Sequence, residues 1–212
     1  MKNYGRRLTR REGRVTIKIT ILNYKMGNIK SVYNSLKHLG AKPVIANTPS
    51  EVKARKLIIP GVGAFGEGMN NLKSFIPKIS EALASNVPLL GICLGLQMFF
   101  EGSEEFPAIE GLGLIKGKVV KIRTKLRLPH IGWNSLEIRK EACPLFKGVD
   151  DGYAYFVHSY HALPEENVIA ATTSYGCEIT ASVWKKNVFG TQFHLEKSGA
   201  LGLQILKNFL EL

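Results

Sequence analysis

The sequence predicts a single α/β domain, with a central, mostly parallel sheet flanked by helices and an antiparallel or mixed extension. Three observations carry this expectation. In the first half, β-branched or apolar runs alternate with amphipathic stretches, the pattern of parallel strands joined by right-handed helical crossovers. In the second half, strand-like runs follow one another across short turns. No repeat, low-complexity linker or domain boundary divides the 212 residues, and that length suits one sizeable domain.

The elements follow in order. "VTIKITIL" (15–22) alternates and is β-branched, so it reads as a strand. "NIKSVYNSLKHLG" places Ile29, Val32, Leu36 and Leu39 at helical spacing and stops at Gly40. "KPVIA" (42–46) and "KLIIP" (56–60) are short strands, the second buried by its apolar run. Met69, Leu72, Phe75, Ile76, Ile79 and Leu83 then mark one long amphipathic helix. "VPLLGIC" (87–93) is a fourth strand, and "LGLQMFFEGS" (94–103) begins a helix. Next, "GKVVKI", "NSLEI", "GYAYFVHSY", "NVIAATTS", "ITASVW" and "NVFGTQF" are strand-like. "SGALGLQILKNFLEL" closes as a helix, with Leu201, Ile205, Leu206 and Phe209 on its apolar side.

Composition narrows the class of function. The chain is 45% hydrophobic, yet no apolar run reaches the roughly 18 residues that a membrane span needs. Cys93, Cys143 and Cys177 fit neither a zinc pattern nor a disulfide framework, so a reduced cytoplasmic setting is the simplest reading. The net charge is +12, of which residues 1–14 hold +5 and the remainder +7. Residues 1–14 read as a basic flexible extension without the apolar core of a secretory signal, and 15–212 as the single domain. Charge spread in this way is expected of a solvated surface rather than of a nucleic-acid site. It would equally suit an anionic metabolite or an acidic partner protein.

The chemistry concentrates around "PLLGICLGLQMFF" (88–100). An apolar strand that runs into a helix through Gly91-Ile92-Cys93-Leu94-Gly95 is the cysteine form of a nucleophile elbow. Such a turn puts the thiol at a strand end and a helix N-terminus, where free N–H groups and the dipole favour thiolate. The N–H of Leu94 would then point at a developing oxyanion. The alternative is a buried structural cysteine with packing glycines.

A nucleophile needs a base, and the base needs an orienter. His194 follows an apolar strand in "GTQFHLEKS", with Glu196 two residues on and therefore on the same face of an extended segment. A surface His–Glu pair is the competing reading. In "IIPGVGAFGEG" (58–68) a buried strand ends in a glycine-rich turn whose N–H groups could complete an oxyanion hole. Gly61 and Gly63 would also leave the Gly61–Val62 peptide easy to rotate. Phosphate binding is the rival, but the Lys-Ser/Thr of a P-loop is missing. His158 and His161 stand three apart in one predicted strand, on opposite faces, which argues against a metal pair.

On these residues the chain resembles the class I (triad) glutamine amidotransferases. Cys93 in "GICLGLQ", His194 and Glu196 in "FHLEKS", and "PGVGAFGEGM" carry the likeness. "MGNIKSV", "EGSEE", "GLGLIKGKVVKI", "LPHIGWN" and "YFVHSY" narrow it to the family of glutaminase subunits of imidazole glycerol phosphate synthase, of histidine biosynthesis. The likeness runs from residue 16 to about 210.

The resemblance implies a flavodoxin-like glutamine amidotransferase fold and a thioester route from glutamine to glutamate and ammonia. Cys93 would be the nucleophile, His194 the acid and base, and Glu196 its orienter. Val62 and Leu94 would supply the oxyanion hole. Gly61, Gly63, Gln97, Glu105, Ser159 and Tyr160 match glutamine-contacting positions. Asn28, Trp133, Tyr155 and Lys197 match positions that face the partner, a (β/α)8-barrel cyclase subunit in a heterodimer that receives the ammonia. No metal or organic cofactor is implied. Leu195 stands where the family has proline, which would loosen the bend before Glu196. Lys25 stands where the family has glycine, and the basic extension lies outside the pattern. Another cysteine-elbow enzyme, such as the vitamin B6 glutaminase or a cysteine peptidase, would lack "LPHIGWN". A non-catalytic binding subunit would be expected to lose Cys93, His194 or Glu196.

Overall fold

The computed structural model describes residues 18–212 apart from Ala54. The basic extension and the first residues of the first predicted strand lie outside the described residues. The chain runs β1 (Lys18–Leu22), α1 (Ile29–His38), β2 (Lys42–Ala46), β3 (Leu57–Gly61), α2 (Phe65–Leu72), α3 (Ile76–Ala84), β4 (Leu89–Cys93) and α4 (Leu94–Gln97). It continues through β5 (Gly102–Ser103), β6 (Gly117–Lys121), β7 (His130–Ile138), β8 (Gly152–His158) and β9 (Tyr160–Pro164). Last come β10 (Ile169–Ser174), β11 (Glu178–Lys185), β12 (Val188–Thr191) and α5 (Gly199–Glu211).

One nine-stranded sheet dominates, in the order β2-β1-β3-β4-β12-β11-β10-β7-β8. Its β2-to-β12 part is parallel and its β12-to-β8 part antiparallel, so the predicted parallel sheet with an antiparallel extension is what forms. β5, β6 and β9 make a small second sheet. Parallel strands are covered on both faces, which is why their sequences are apolar runs. Ile58 packs with Val32, Leu36, Ile205 and Phe209 on one side, while Leu57 and Ile59 pack with Phe65, Leu72 and Ile79 on the other.

Several elements differ from the sequence reading, and β7 starts at His130, ahead of the predicted "NSLEI". The long helix is two, α2 and α3, joined by a 3-10 turn at Lys73–Phe75. Pro77 lacks the N–H that a continuous helix would donate at that point. The helix opened by "LGLQ" ends after one turn. Met98, Phe99 and Phe100 are all buried, and their carbonyls accept from the N–H groups of Leu112, Gly113, Leu114 and Ile115. Tertiary bonds there replace the next helical turn. "GYAYFVHSY" divides at Ser159, where the chain leaves the large sheet for the small one. His158 and His161 therefore sit on different strands, and their spacing is not that of one strand.

Candidate active site

Cys93 ends β4 with φ +55° and ψ −109°, a conformation that L-residues rarely adopt. The two glycines beside it have a steric purpose. A Cβ on Gly95 would lie 1.9 Å from the carbonyl oxygen of Ile59 in β3. On Gly91 it would lie 2.6 Å from the carbonyl of Gly95 and 2.6 Å from Phe99. Their absence lets the elbow press onto the neighbouring strand. Because α4 is one turn long, its dipole adds less than the sequence suggested. The first-turn N–H groups, Leu94 among them, still lack intrahelical partners.

Three adjacent strand ends converge here. Gly61 of β3 pairs with Cys93, and Thr191 of β12 pairs with Ile92. His194 follows β12 by three residues, anchored by its N–H to the carbonyl of Tyr155 at 2.9 Å. Its Nδ1 lies 2.8 Å from Glu196 Oε1, and both side chains are almost wholly buried. The segment Leu195–Lys197 is a 3-10 turn rather than extended, yet it makes the expected contact. Leu195 packs in the core, and Ser198 Oγ donates to the His194 carbonyl at 2.6 Å, so the turn stays tight without proline. Because a carboxylate only accepts, Nδ1 bears a proton, and Nε2 is the nitrogen left for the Cys93 side chain. Burial alone would lower the pKa of His194. Its interactions with Cys93 and Glu196 outweigh burial and raise it to about 10.

Cys93, but neither His194 nor Glu196, lines a cavity of about 340 Å³, together with Val62, Gly63, Leu94, Gln97, Glu105, Ser159 and Tyr160. Every glutamine-contact position expected from the sequence is thus on one wall or another, except Gly61. A Cβ on Gly61 would strike the Tyr24 hydroxyl at 2.5 Å and Leu94 Cβ at 2.8 Å, so its smallness serves packing. A larger groove of about 750 Å³ runs beside Glu141, Cys143, Asp150 and Asp151. It holds no histidine, and burial pushes the Cys143 thiol up to about 11. A strained cysteine on the wall of a small cavity, with a buried His–Glu pair that interacts with it, supplies the parts of a thiol acyl-transfer site.

Comparison with known proteins agrees. The family model for class I glutamine amidotransferases matches residues 20–212. This chain belongs to the class I glutamine amidotransferase family. Among its relatives is the imidazole glycerol phosphate synthase subunit HisH of Methanocaldococcus jannaschii, 48% identical over 92% of this chain and 99% of that one. The HisH subunits of Lactococcus lactis (47%; 92% and 98% covered) and Sulfurimonas denitrificans (49%; 90% and 96% covered) are as similar, and the chain belongs to their family too. PurLQS from Thermotoga maritima shares the fold at TM-score 0.76 and 17% identity, over 92% of this chain and 98% of that one.

In this amidotransferase the residues matched to the partner side lie at the surface. Trp133 is 56% exposed, faces Tyr155 across the β7–β8 pair, and meets its ring edge to face at 6.2 Å. Lys197 Nζ stands 5.3 Å from the same ring. Asn28 opens α1, after a loop whose Gly27 lies against Pro60 and Gly61. Lys25 in that loop has φ +66°, which gives a backbone reason for the family's glycine there. Two residues of the site had no signal strong enough to single them out. Tyr24 donates to the Pro60 carbonyl at 2.6 Å and props the end of β3. Gln192, a polar residue in an apolar strand run, donates to the Cys93 sulfur at 3.6 Å.

His158 forms part of the cavity wall and also a linkage between pH and stability. Its Nδ1 donates to the carbonyl of Tyr160 at 2.8 Å, and Nε2 receives His130 Nδ1 at 3.1 Å. Burial first, then the neighbouring histidines, lower its pKa to about 3, against the bond to Tyr160, which raises it. The unfolded value is near 6.5. Between about 3 and 6.5 the unfolded chain therefore holds a proton that the folded chain lacks, so stability is lost as pH falls below about 6.5. One such group contributes a slope of about 1.4 kcal/mol per pH unit. Urea unfolding at a series of pH values should show this slope, and His158→Asn should reduce it by about that amount. An equally steep variant would refute the assignment to His158.

Proposed function

We propose that Cys93, His194 and Glu196 hydrolyse glutamine, and that the ammonia goes to a (β/α)8-barrel cyclase subunit, making this chain the cytoplasmic glutaminase subunit of imidazole glycerol phosphate synthase in histidine biosynthesis. The observation that carries the reading is Cys93 in a strained elbow, with the buried His194–Glu196 pair near enough to interact with its thiol. The Cys93 thiolate attacks the side-chain amide carbon of glutamine. The N–H groups of Leu94 and Val62 hold the oxyanion. His194 gives a proton to the departing ammonia, then takes one from the water that cleaves the thioester. Glutamate leaves, and the thiolate is restored. Glu196 keeps the ring in place and offsets its charge throughout.

Glu105 suits the α-ammonium group of the substrate. One of its oxygens accepts the Phe65 N–H at 2.8 Å at the start of α2, which fixes the carboxylate at the cavity wall. Ammonia released in the cavity joins a phosphoribosyl-type intermediate on the cyclase, and the pairing of the subunits would keep it from solvent. Glutamine hydrolysis by the complex with a candidate cyclase tests the whole reading. No glutamate from that complex would end it.

Trp133, Tyr155 and Lys197 form the contact with the cyclase in this reading. An exposed tryptophan against a half-buried tyrosine is a suitable interface anchor, at about 2 kcal/mol or more on truncation. Trp133→Ala should therefore weaken cyclase binding by roughly thirtyfold, as read by titration. Its exposure means that the thermal midpoint should hardly move. Undiminished affinity with intact coupling would remove Trp133 from the interface.

A further inference from the structure

Behind the cavity lies a buried side chain for which the proposed reaction has no use so far. We propose that Gln192 is a further catalytic residue: its side-chain N–H donates to the Cys93 sulfur and stabilises the negative charge carried there. The idea rests on Cys93 being the nucleophile. Gln192 is fully buried, and its Nε2 lies 3.6 Å from Sγ.

The two ends of an amide look alike, so its direction has to be argued from its neighbours. The chain of bonds leaves one solution. The carbonyl of Tyr160 can only accept. It takes Gln97 Nε2 at 2.9 Å and His158 Nδ1 at 2.8 Å. Gln97 therefore turns its nitrogen toward Tyr160, and its second N–H lies 3.0 Å from Gln192 Oε1. With its oxygen so occupied, Gln192 has only its NH₂ group to face the sulfur. The reverse orientation would set NH₂ against NH₂ and a carbonyl against a thiolate.

The other end of the chain is fixed as well. His158 donates through Nδ1, so its Nε2 accepts from His130 Nδ1 at 3.1 Å. His130 Nε2 then accepts from Asn134 Nδ2 at 3.2 Å, and the same nitrogen donates to the Ser174 carbonyl at 2.8 Å. A one-way series of donors thus runs from β7 to Tyr160, and the same carbonyl sets the direction of Gln97 and Gln192. A buried amide N–H must find an acceptor as surely as the oxygen of the same amide finds Gln97. Here the sulfur is the partner.

A hydrogen bond to a charged group is worth more than one to a neutral group, and its loss corresponds to roughly tenfold to a hundredfold. Iodoacetamide alkylation, read on the Cys93 peptide by mass spectrometry, measures this without glutamine or cyclase. In Gln192→Met the pH profile of alkylation should move upward by roughly one unit or more. In the complex, kcat for glutamine should fall about tenfold or more with KM little changed, while ammonia-driven synthesis persists and shows that fold and docking are intact. Should Gln192→Met not fold, Gln192→Glu takes its place. It keeps the heavy atoms and the bond from Gln97, and sets an oxygen against the sulfur in place of the donor, so the same upward move is expected. An unmoved profile in either folded variant overturns the proposal. A shifted profile in a protein whose wild-type complex fails to hydrolyse glutamine would leave the donor standing and sink the glutaminase reading alone.

Discussion

Cys93→Ala and His194→Ala are each expected to lower glutamine hydrolysis by at least about a thousandfold while ammonia-driven synthesis by the complex survives. In the proposed mechanism the nucleophile and base act as one unit. Removing the sulfur leaves no thioester, and removing the imidazole leaves nothing to protonate ammonia as it departs. The double variant should accordingly be little worse than either single one. Glu196→Ala should be milder, because an orienter is removed and both reacting groups remain. Ammonia-driven synthesis uses only the partner's chemistry and a docked, folded subunit. Steady-state glutamate release measured beside ammonia-driven synthesis separates the two. Near-normal glutamine hydrolysis in Cys93→Ala would discard the assignment, whatever the value for His194→Ala.

Gly95→Ala is expected to have the largest effect on stability, at about 4 kcal/mol or more. A Cβ there would fall 1.9 Å from the Ile59 carbonyl oxygen, a backbone atom of the central sheet that no rotamer can move aside. Either β3 separates from the elbow or the elbow rearranges, and both displace Cys93. A thermal midpoint lower by roughly 10 °C or more is the reading to look for in a chain of this size. Gly102→Ala is the control, since its Cβ would meet nothing closer than 3.8 Å and its stability should change by less than about 1 kcal/mol. Equal midpoints for the two variants would show that the close approach at Gly95 does not govern stability.

Much of the site was legible before any coordinates. Glycines flanking one thiol after an apolar run can hardly be anything but a tight turn or a packing contact, and they prove to be both. His194 and Glu196 are near neighbours in sequence, so the chain itself brings them together. The residues matched to glutamine-contacting positions were reached through resemblance, and the cavity gathers all but Gly61 of them from four separate segments. What remained hidden depends on contacts remote in sequence. Gln192 stands 99 residues from Cys93 and 95 from Gln97. Tyr24 reaches Pro60 across 36 residues. No local pattern records such pairs.

Most strands of the large sheet, its parallel part with an antiparallel extension, the elbow and the His-x-Glu pair are written in the sequence. Those follow from periodicity, glycine placement and short-range spacing, which are local properties of the chain. Contacts between distant segments stop α4 after one turn, move "GYAYFVHSY" to the second sheet at Ser159, and set which way the amides of Gln97 and Gln192 point. In the first two cases a backbone carbonyl or N–H from a distant segment takes the bond that local structure would have made, and in the third the Tyr160 carbonyl orients Gln97, which orients Gln192. Buried polar groups must be satisfied wherever the partner lies. That requirement acts through space, so it settled the orientation of the groups around Cys93 only once β3, β4 and β12 stood side by side.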